Sequence, residues 1–278
     1  MKQRITTAVI ALTILFIVTR FFETPVLNIV IGLLSALAIF ELLNNTGYIT
    51  DKFILSVCVV FSFFFPMLHF EWLNAHIIFV GTVFLVLLGF SYVIGHEKLT
   101  LPNICTAFLV SLVVPVVFSV SIVIRDNFFP DGLFYYMLVL GGGWLADSGA
   151  YFVGVFFGRH KLAPKISPQK TIEGAVGGIV TTVIGYLLVG LVYYLYCRSI
   201  GDTIEISYLV LAISAPVCAV AGIMGDLFAS VIKRQTGIKD YGNIFPGHGG
   251  VMDRFDSVLF VSPILYVIIS LFPIITRG

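Results

Sequence analysis

Residues 174–197 read GAVGGIVTTVIGYLLVGLVYYLYC, and no Asp, Glu, Lys, Arg or His interrupts them. As a helix this stretch rises about 36 Å at 1.5 Å per residue, enough to cross a hydrocarbon core of about 30 Å. Glu173 and Arg198 mark its two edges. Working outward, runs of the same kind occur near 5–22, 26–43, 53–68, 74–94, 104–124, 133–157, 205–228 and 257–275. The pattern predicts an all-α, polytopic membrane helix bundle of about nine transmembrane helices. We divide it into N-terminal helices (1–130) and a C-terminal catalytic region (131–278), both in one continuous membrane domain.

Composition agrees. The chain of 278 residues is 59% hydrophobic and 11% charged, with a mean hydropathy of +1.05. Soluble domains carry about 25% charged residues, so too little polar surface is present to coat a water-soluble globule. A net charge of +1 gives no bias toward nucleic acid. Cys58, Cys105, Cys197 and Cys218 are far apart and read as small apolar residues. Lys2 and Arg4 precede the first apolar run, but no small-residue cleavage site follows it. That run is expected to stay as a helix.

The two longest polar connections, near 158–173 and 230–256, flank the seventh and eighth spans. Two crossings return the chain to the same face. Under the nine-span reading that face holds twelve of the sixteen Lys and Arg residues. The positive-inside rule makes it cytoplasmic. The expectation is a protein of the inner membrane with its polar chemistry facing the cytoplasm.

Four groups of residues carry that chemistry. Asp147 lies in an apolar span, within GGGWLADSGAY at 141–151. A carboxylate there costs about 2.5–3.5 kcal/mol on insertion scales and needs a polar partner. The glycines around it allow a backbone or a ligand to come close. The second group, 157–178, joins Lys165, Ser167 and Lys170 to a helix start capped by Thr171, with Glu173 in its first turn. Free N–H groups beside two lysines form an anion site. In the third, Asp226 and Ser230 share a helix face, followed by Lys233 and Arg234. The fourth runs from Lys239 to Ser257. Gly247 and Gly249 bracket His248 in a turn able to aim N–H groups at phosphate. Asp253 and Asp256 are three positions apart, on one face if the ninth helix has begun there, and such hard oxygens suit Mg²⁺. Arg254 is placed to pair with a carboxylate or a phosphate.

These residues resemble the phosphatidate cytidylyltransferases, the CDP-diacylglycerol synthases. The C-terminal signature of that family is matched by Ser230, Lys233-Arg234, Lys239-Asp240, Pro246 through Gly250, Asp253-Arg254 and Asp256. Ser167-Pro168-x-Lys170-Thr171-x-Glu173-Gly174 and Asp147-x-x-Ala150-Tyr151-x-x-Gly154 match its central motifs. The similarity is strong over about 140–260. Ala229 stands where many members carry Glu, which leaves that role to Asp226 or water.

The resemblance implies transfer of CMP from CTP to phosphatidic acid, giving CDP-diacylglycerol and pyrophosphate. It implies Asp226 and Asp253 as principal metal ligands, with Asp147 and Asp256 near. The cofactor would be Mg²⁺, with a second cation such as K⁺. Lys165, Lys170, Lys233, Arg234, Lys239 and His248 are the candidates for phosphate contacts. A homodimer is compatible with this reading. The rival readings are a cation-coupled transporter, a cytidylyltransferase for another lipid phosphate, a CDP-alcohol phosphotransferase and a structural scaffold. The phosphotransferase pattern requires an Arg that the 147–151 segment lacks.

Overall fold

The computed structural model describes residues 13–70, 75–245, 247 and 249–277. Residues 13–20 are helical (α1); the rest of the expected first span lies outside the described residues. There follow α2 (Val26–Phe40), α3 (Lys52–Phe64), α4 (Ile77–Ile94), α5 (Leu101–Asn127), α6 (Gly132–Phe157), α7 (Ile172–Ser199), α8 (Tyr208–Gln235) and α9 (Met252–Leu271). Among the described residues, eight helices are long and apolar enough to cross a membrane, α2 counting with the π-helical turn and α3 with the 3₁₀ turn that extend them. Side chains such as Ile78 and Phe156 are 83% and 74% exposed, as expected of helices whose outer faces meet lipid. The chain is an integral membrane protein.

Four details depart from the sequence reading. The 158–171 connection is a small antiparallel hairpin, β1 (Lys161–Ala163) with β2 (Ser167–Thr171), pairing Lys161 with Thr171 and Ala163 with Ser167. Pro164 and Pro168 keep this segment out of a helix, and the backbone finds its partners across the hairpin instead. A second pair, β3 (Ile204–Ile206) with β4 (Ile275–Arg277), joins residues expected at helix ends. α8 also continues to Gln235, carrying Lys233 and Arg234 on its last turn. α9 begins five residues earlier than expected, which puts Asp253 in its first turn.

The chain forms two compact units. The first contains the described residues of Met1–Val123 with Gln235–Arg254; the second contains Ile124–Arg234 with the described residues from Phe255 onward. In the first, Asp51 caps α3 by accepting from Phe53 N and Ile54 N, each at 3.0 Å. Asn28 Nδ2 donates to Pro66 O at 3.0 Å. Phe61 of α3 stacks on Phe84 of α4, with ring centroids 3.9 Å apart. α2 continues through a π-helical turn, Glu41–Asn45.

In the second unit α6 and α7 pack as an antiparallel pair through small residues. A Cβ added at Gly178 would lie 2.5 Å from Ala146 O, and one at Gly174 2.7 Å from Ala150 O. Small-residue contact of this kind is how membrane helices gain dispersion energy and approach closely. Tyr186, fully buried, donates from its hydroxyl to Leu138 O at 2.7 Å. One end of this unit carries the β1–β2 hairpin. The other carries the β3–β4 pair, where Arg277 bridges Asp131 (2.5 Å) and Asp202, and Tyr193 donates to Asp131 at 2.6 Å.

Candidate active site

The hairpin end of the second unit is built from the Thr171 cap. Thr171 Oγ1 accepts from Gly174 N at 3.1 Å, which satisfies one of the open N–H groups at the start of α7. Glu173 turns back to the strand that enters the hairpin. Its Oε2 accepts from Arg159 N (3.0 Å) and His160 N (3.1 Å), and its Oε1 meets His160 Nδ1 at 2.6 Å. His160 is therefore part of the staple that closes the hairpin.

With both ends of the hairpin pinned, Lys170 on β2 reaches α8. Its Nζ lies 2.5 Å from Asp226 Oδ2, with side chains 19% and 26% exposed. Shielding at this level puts the pair between a surface bridge, worth little, and a fully buried one, which carries a large desolvation cost. Arg234 Nε donates to Ile166 O at 3.2 Å, a second tie between hairpin and α8. Ser230 Oγ donates to Asp226 Oδ1 at 3.4 Å, as its spacing on the helix face predicts.

A second carboxylate pair adjoins. Ser257 Oγ donates to Asp147 Oδ2 at 2.9 Å and lies 3.4 Å from Asp256 Oδ1, which also accepts from Ser257 N at 2.7 Å. Asp256 interacts electrostatically with Asp226, Asp147 and Lys233. Glycines permit this gathering: a Cβ at Gly225 would lie 2.5 Å from Asp256 O, and one at Gly143 3.2 Å from Ser257 Cβ. The cluster therefore contains Asp147, Asp226, Asp256, Lys170 and Lys233, with two serine hydroxyls.

The first unit holds the glycine-rich loop. Asp253 Oδ2 accepts from Tyr241 N (2.7 Å) and Gly250 N (3.0 Å). Phe245 N donates to Gly249 O at 2.9 Å. Gly247 and Gly249 adopt φ of 78° and 86°, a left-handed conformation that side-chain-bearing residues avoid. Glu41, 1% exposed, closes the other side: Val251 N donates to its Oε1 at 3.0 Å and Met252 N to its Oε2 at 2.9 Å.

Of the residues singled out in sequence, the structure joins Asp147, Asp226, Asp256, Ser230, Lys170 and Lys233. Thr171 is the helix cap, and Ser167 opens β2. Lys165, Lys239 and Arg254 are exposed. His248 lies outside the described residues. Ala229 is fully buried. Glu41 was missed as a functional candidate. The signal was present, because a carboxylate at the end of an apolar run carries the same cost that drew attention to Asp147. Among the described residues, no three His, Cys, Asp or Glu side chains are gathered closely enough to hold a metal ion unaided.

Residues 2–272 match the family model described as the cytidylyltransferase family. A Bacillus subtilis (strain 168) protein named phosphatidate cytidylyltransferase is 35% identical over 279 residues, covering 98% of each chain. A Staphylococcus haemolyticus (strain JCSC1435) protein of the same name is 32% identical over 272 residues, covering 97% of this chain and 99% of its own. A Thermotoga maritima protein, also so named, is 38% identical over 144 residues, about half of each chain.

Proposed function

This chain belongs to the cytidylyltransferase family, and we propose that it transfers CMP from CTP to phosphatidic acid. A phosphate oxygen of the lipid bonds to the α-phosphorus of CTP. The α–β phosphoanhydride bond breaks, and pyrophosphate leaves with that electron pair. The products are CDP-diacylglycerol and pyrophosphate. The lipid phosphate is already ionised at neutral pH, so the reaction needs no strong base. Its difficulty is the approach of two polyanions, and the remedy is fixed positive charge and alignment.

The observation that carries this reading is the Lys170–Asp226 pair at 2.5 Å. It joins two motifs that are 56 positions apart in sequence. Lys170 is proposed to contact phosphate, with Lys165, Lys233 and Arg234 adding charge at the same end of the second unit. In the first unit, Lys239 and the N–H groups around Gly247 and Gly249 offer a further phosphate-binding element, together with His248 and Arg254.

Mg²⁺ is proposed as cofactor. Hard carboxylate oxygens suit it, and Mg²⁺ commonly takes one or two carboxylates and completes its shell with water and substrate phosphate. The acidic cluster fits that requirement without a three-ligand protein cage. One or two of Asp226, Asp147 and Asp256 would hold it, and Asp253 remains a proposed cation ligand on the strength of its motif. When bound, the ion would neutralise charge developing on the phosphates. A second cation such as K⁺ belongs to the same proposal, as does placement of this chemistry on the cytoplasmic face of the cell membrane.

The test is incorporation of radiolabelled CTP by purified protein with phosphatidic acid and Mg²⁺, with other lipid phosphates in competition. Labelled CDP-diacylglycerol is expected, absent after chelation. Preferential labelling of a different lipid phosphate would replace phosphatidic acid as the acceptor. No CTP-dependent product would overturn the reading.

A further inference from the structure

The loop between α8 and α9 is gripped by a residue from the opposite end of the sequence. Glu41 opens the π-helical turn that ends α2, an irregularity found often at functional sites. Both its oxygens are used, one by Val251 N and one by Met252 N. These donors lie at the start of α9, where helical N–H groups lack partners within the helix and where negative charge is favoured. The loop is shaped around this side chain. A Cβ at Gly242 or at Gly250 would collide with the Glu41 carboxylate. Asn45, on the same turn, donates from Nδ2 to Tyr241 O at 2.6 Å, while Tyr241 N is held by Asp253. Tyr241 is fully buried. The loop is thus fixed at its entry by Asn45 and Asp253 and at its exit by Glu41.

We propose that Glu41 is a positioning residue for cytidylyl transfer, holding the glycine-rich loop and the first turn of α9 in their phosphate-binding conformation. The inference rests on the reading of that loop as a phosphate-binding element. Glu41 touches no reacting atom. Its effect passes through two backbone N–H groups, and what it sets is the direction of the N–H groups and side chains of the described loop residues 241–245 and 249–252. Burying a carboxylate at the end of an apolar helix is costly, and a purely apolar contact would hold helix against loop without that cost. What a carboxylate adds is two acceptors at fixed spacing.

The substitution that isolates this role is Glu41→Gln. Glutamine keeps the volume but has one acceptor and one donor, so one backbone N–H must face an NH₂ group. Glu41→Asp keeps the charge and shortens the reach by one methylene. Both variants are measured in the full-length protein in detergent, with the folded fraction quantified by size-exclusion chromatography. Asp253→Asn is measured in parallel. Loss of folded protein lowers Vmax in proportion and leaves KM unchanged, whereas a displaced loop raises KM for CTP. We expect KM for CTP to rise in both Glu41 variants, with kcat/KM falling about 10–100-fold, the range for groups that orient a ligand-binding residue. Faster amide exchange across 241–252 should accompany it. Glu41→Asp alone carries the test where Glu41→Gln does not accumulate. A wild-type KM for CTP in the Glu41 variants, beside an impaired Asp253→Asn, would overturn the role of Glu41 and leave the loop reading standing. Wild-type kinetics in Asp253→Asn would overturn the loop reading itself.

Discussion

Carboxylates are used differently in the two units. Around the glycine-rich loop, Glu41 and Asp253 aim their oxygens at backbone N–H groups: four donors, at 2.7–3.0 Å. In the second unit, Asp147 and Asp226 aim theirs at side chains, a serine hydroxyl and a lysine ammonium among them. Backbone donors cannot leave, so the oxygens they fill, both of Glu41 and Oδ2 of Asp253, are fixed and act as architecture. A lysine can swing away, so a carboxylate it neutralises can exchange that partner for another cation. Glu173 in the second unit belongs with the first kind, since it accepts from Arg159 N and His160 N.

Substitutions can break this contrast or sharpen it. The largest effect is expected for Asp226→Asn, which removes a charge proposed to hold a cation. CTP-dependent labelling should fall about 10²–10³-fold, equivalent to losing several kcal/mol of charge stabilisation at about 1.4 kcal/mol per decade. Membrane insertion should be normal; retained activity would strip Asp226 of that role. Asp253→Asn should also abolish most turnover, by about 10²-fold, but with faster exchange at Tyr241 and Gly250. A loss of activity with no change in exchange would move Asp253 from the architectural to the exchanging kind. Lys170→Ala should cost about 10-fold or more in kcat/KM, given 1.5–3 kcal/mol for a hydrogen bond to a charged group. Unchanged kinetics with both substrates would reduce the hairpin to a topology signal. Ser257→Ala leaves Asp147 without its hydroxyl partner, a loss of about 1 kcal/mol or roughly fivefold in rate. The smallest effect is expected for Thr171→Ala, about 1 kcal/mol of stability from the lost cap, read as a lower melting temperature with KM unchanged.

Much of this was legible in the sequence because the bilayer imposes simple rules. Uninterrupted apolar runs located the helices, since any charge inside one would stand out. The same rule exposed Asp147, and helical spacing paired Asp226 with Ser230. What spacing could not show was which carboxylates satisfy backbone donors. Glu41 meets Val251 and Met252 across about 210 positions, and no local pattern encodes such a meeting. The hairpin was read as turns because Pro164 and Pro168 argue against helix without specifying strand pairing. Glu173 was read as a first-turn residue of α7; that it also clasps His160 depends on the fold of the hairpin before it.

The β3–β4 pair has a consequence for biogenesis. Ribosomes deliver the chain from its N-terminus, so residues 275–277 emerge after every other described element of the second unit. Until then Asp131 and Asp202 wait at the membrane edge without the guanidinium that later spans them. The β3–β4 pair works as a buckle fastened last: a chain cut short before Arg277 would keep the Tyr193 hydroxyl on Asp131 but lose the guanidinium that ties Asp131 to Asp202.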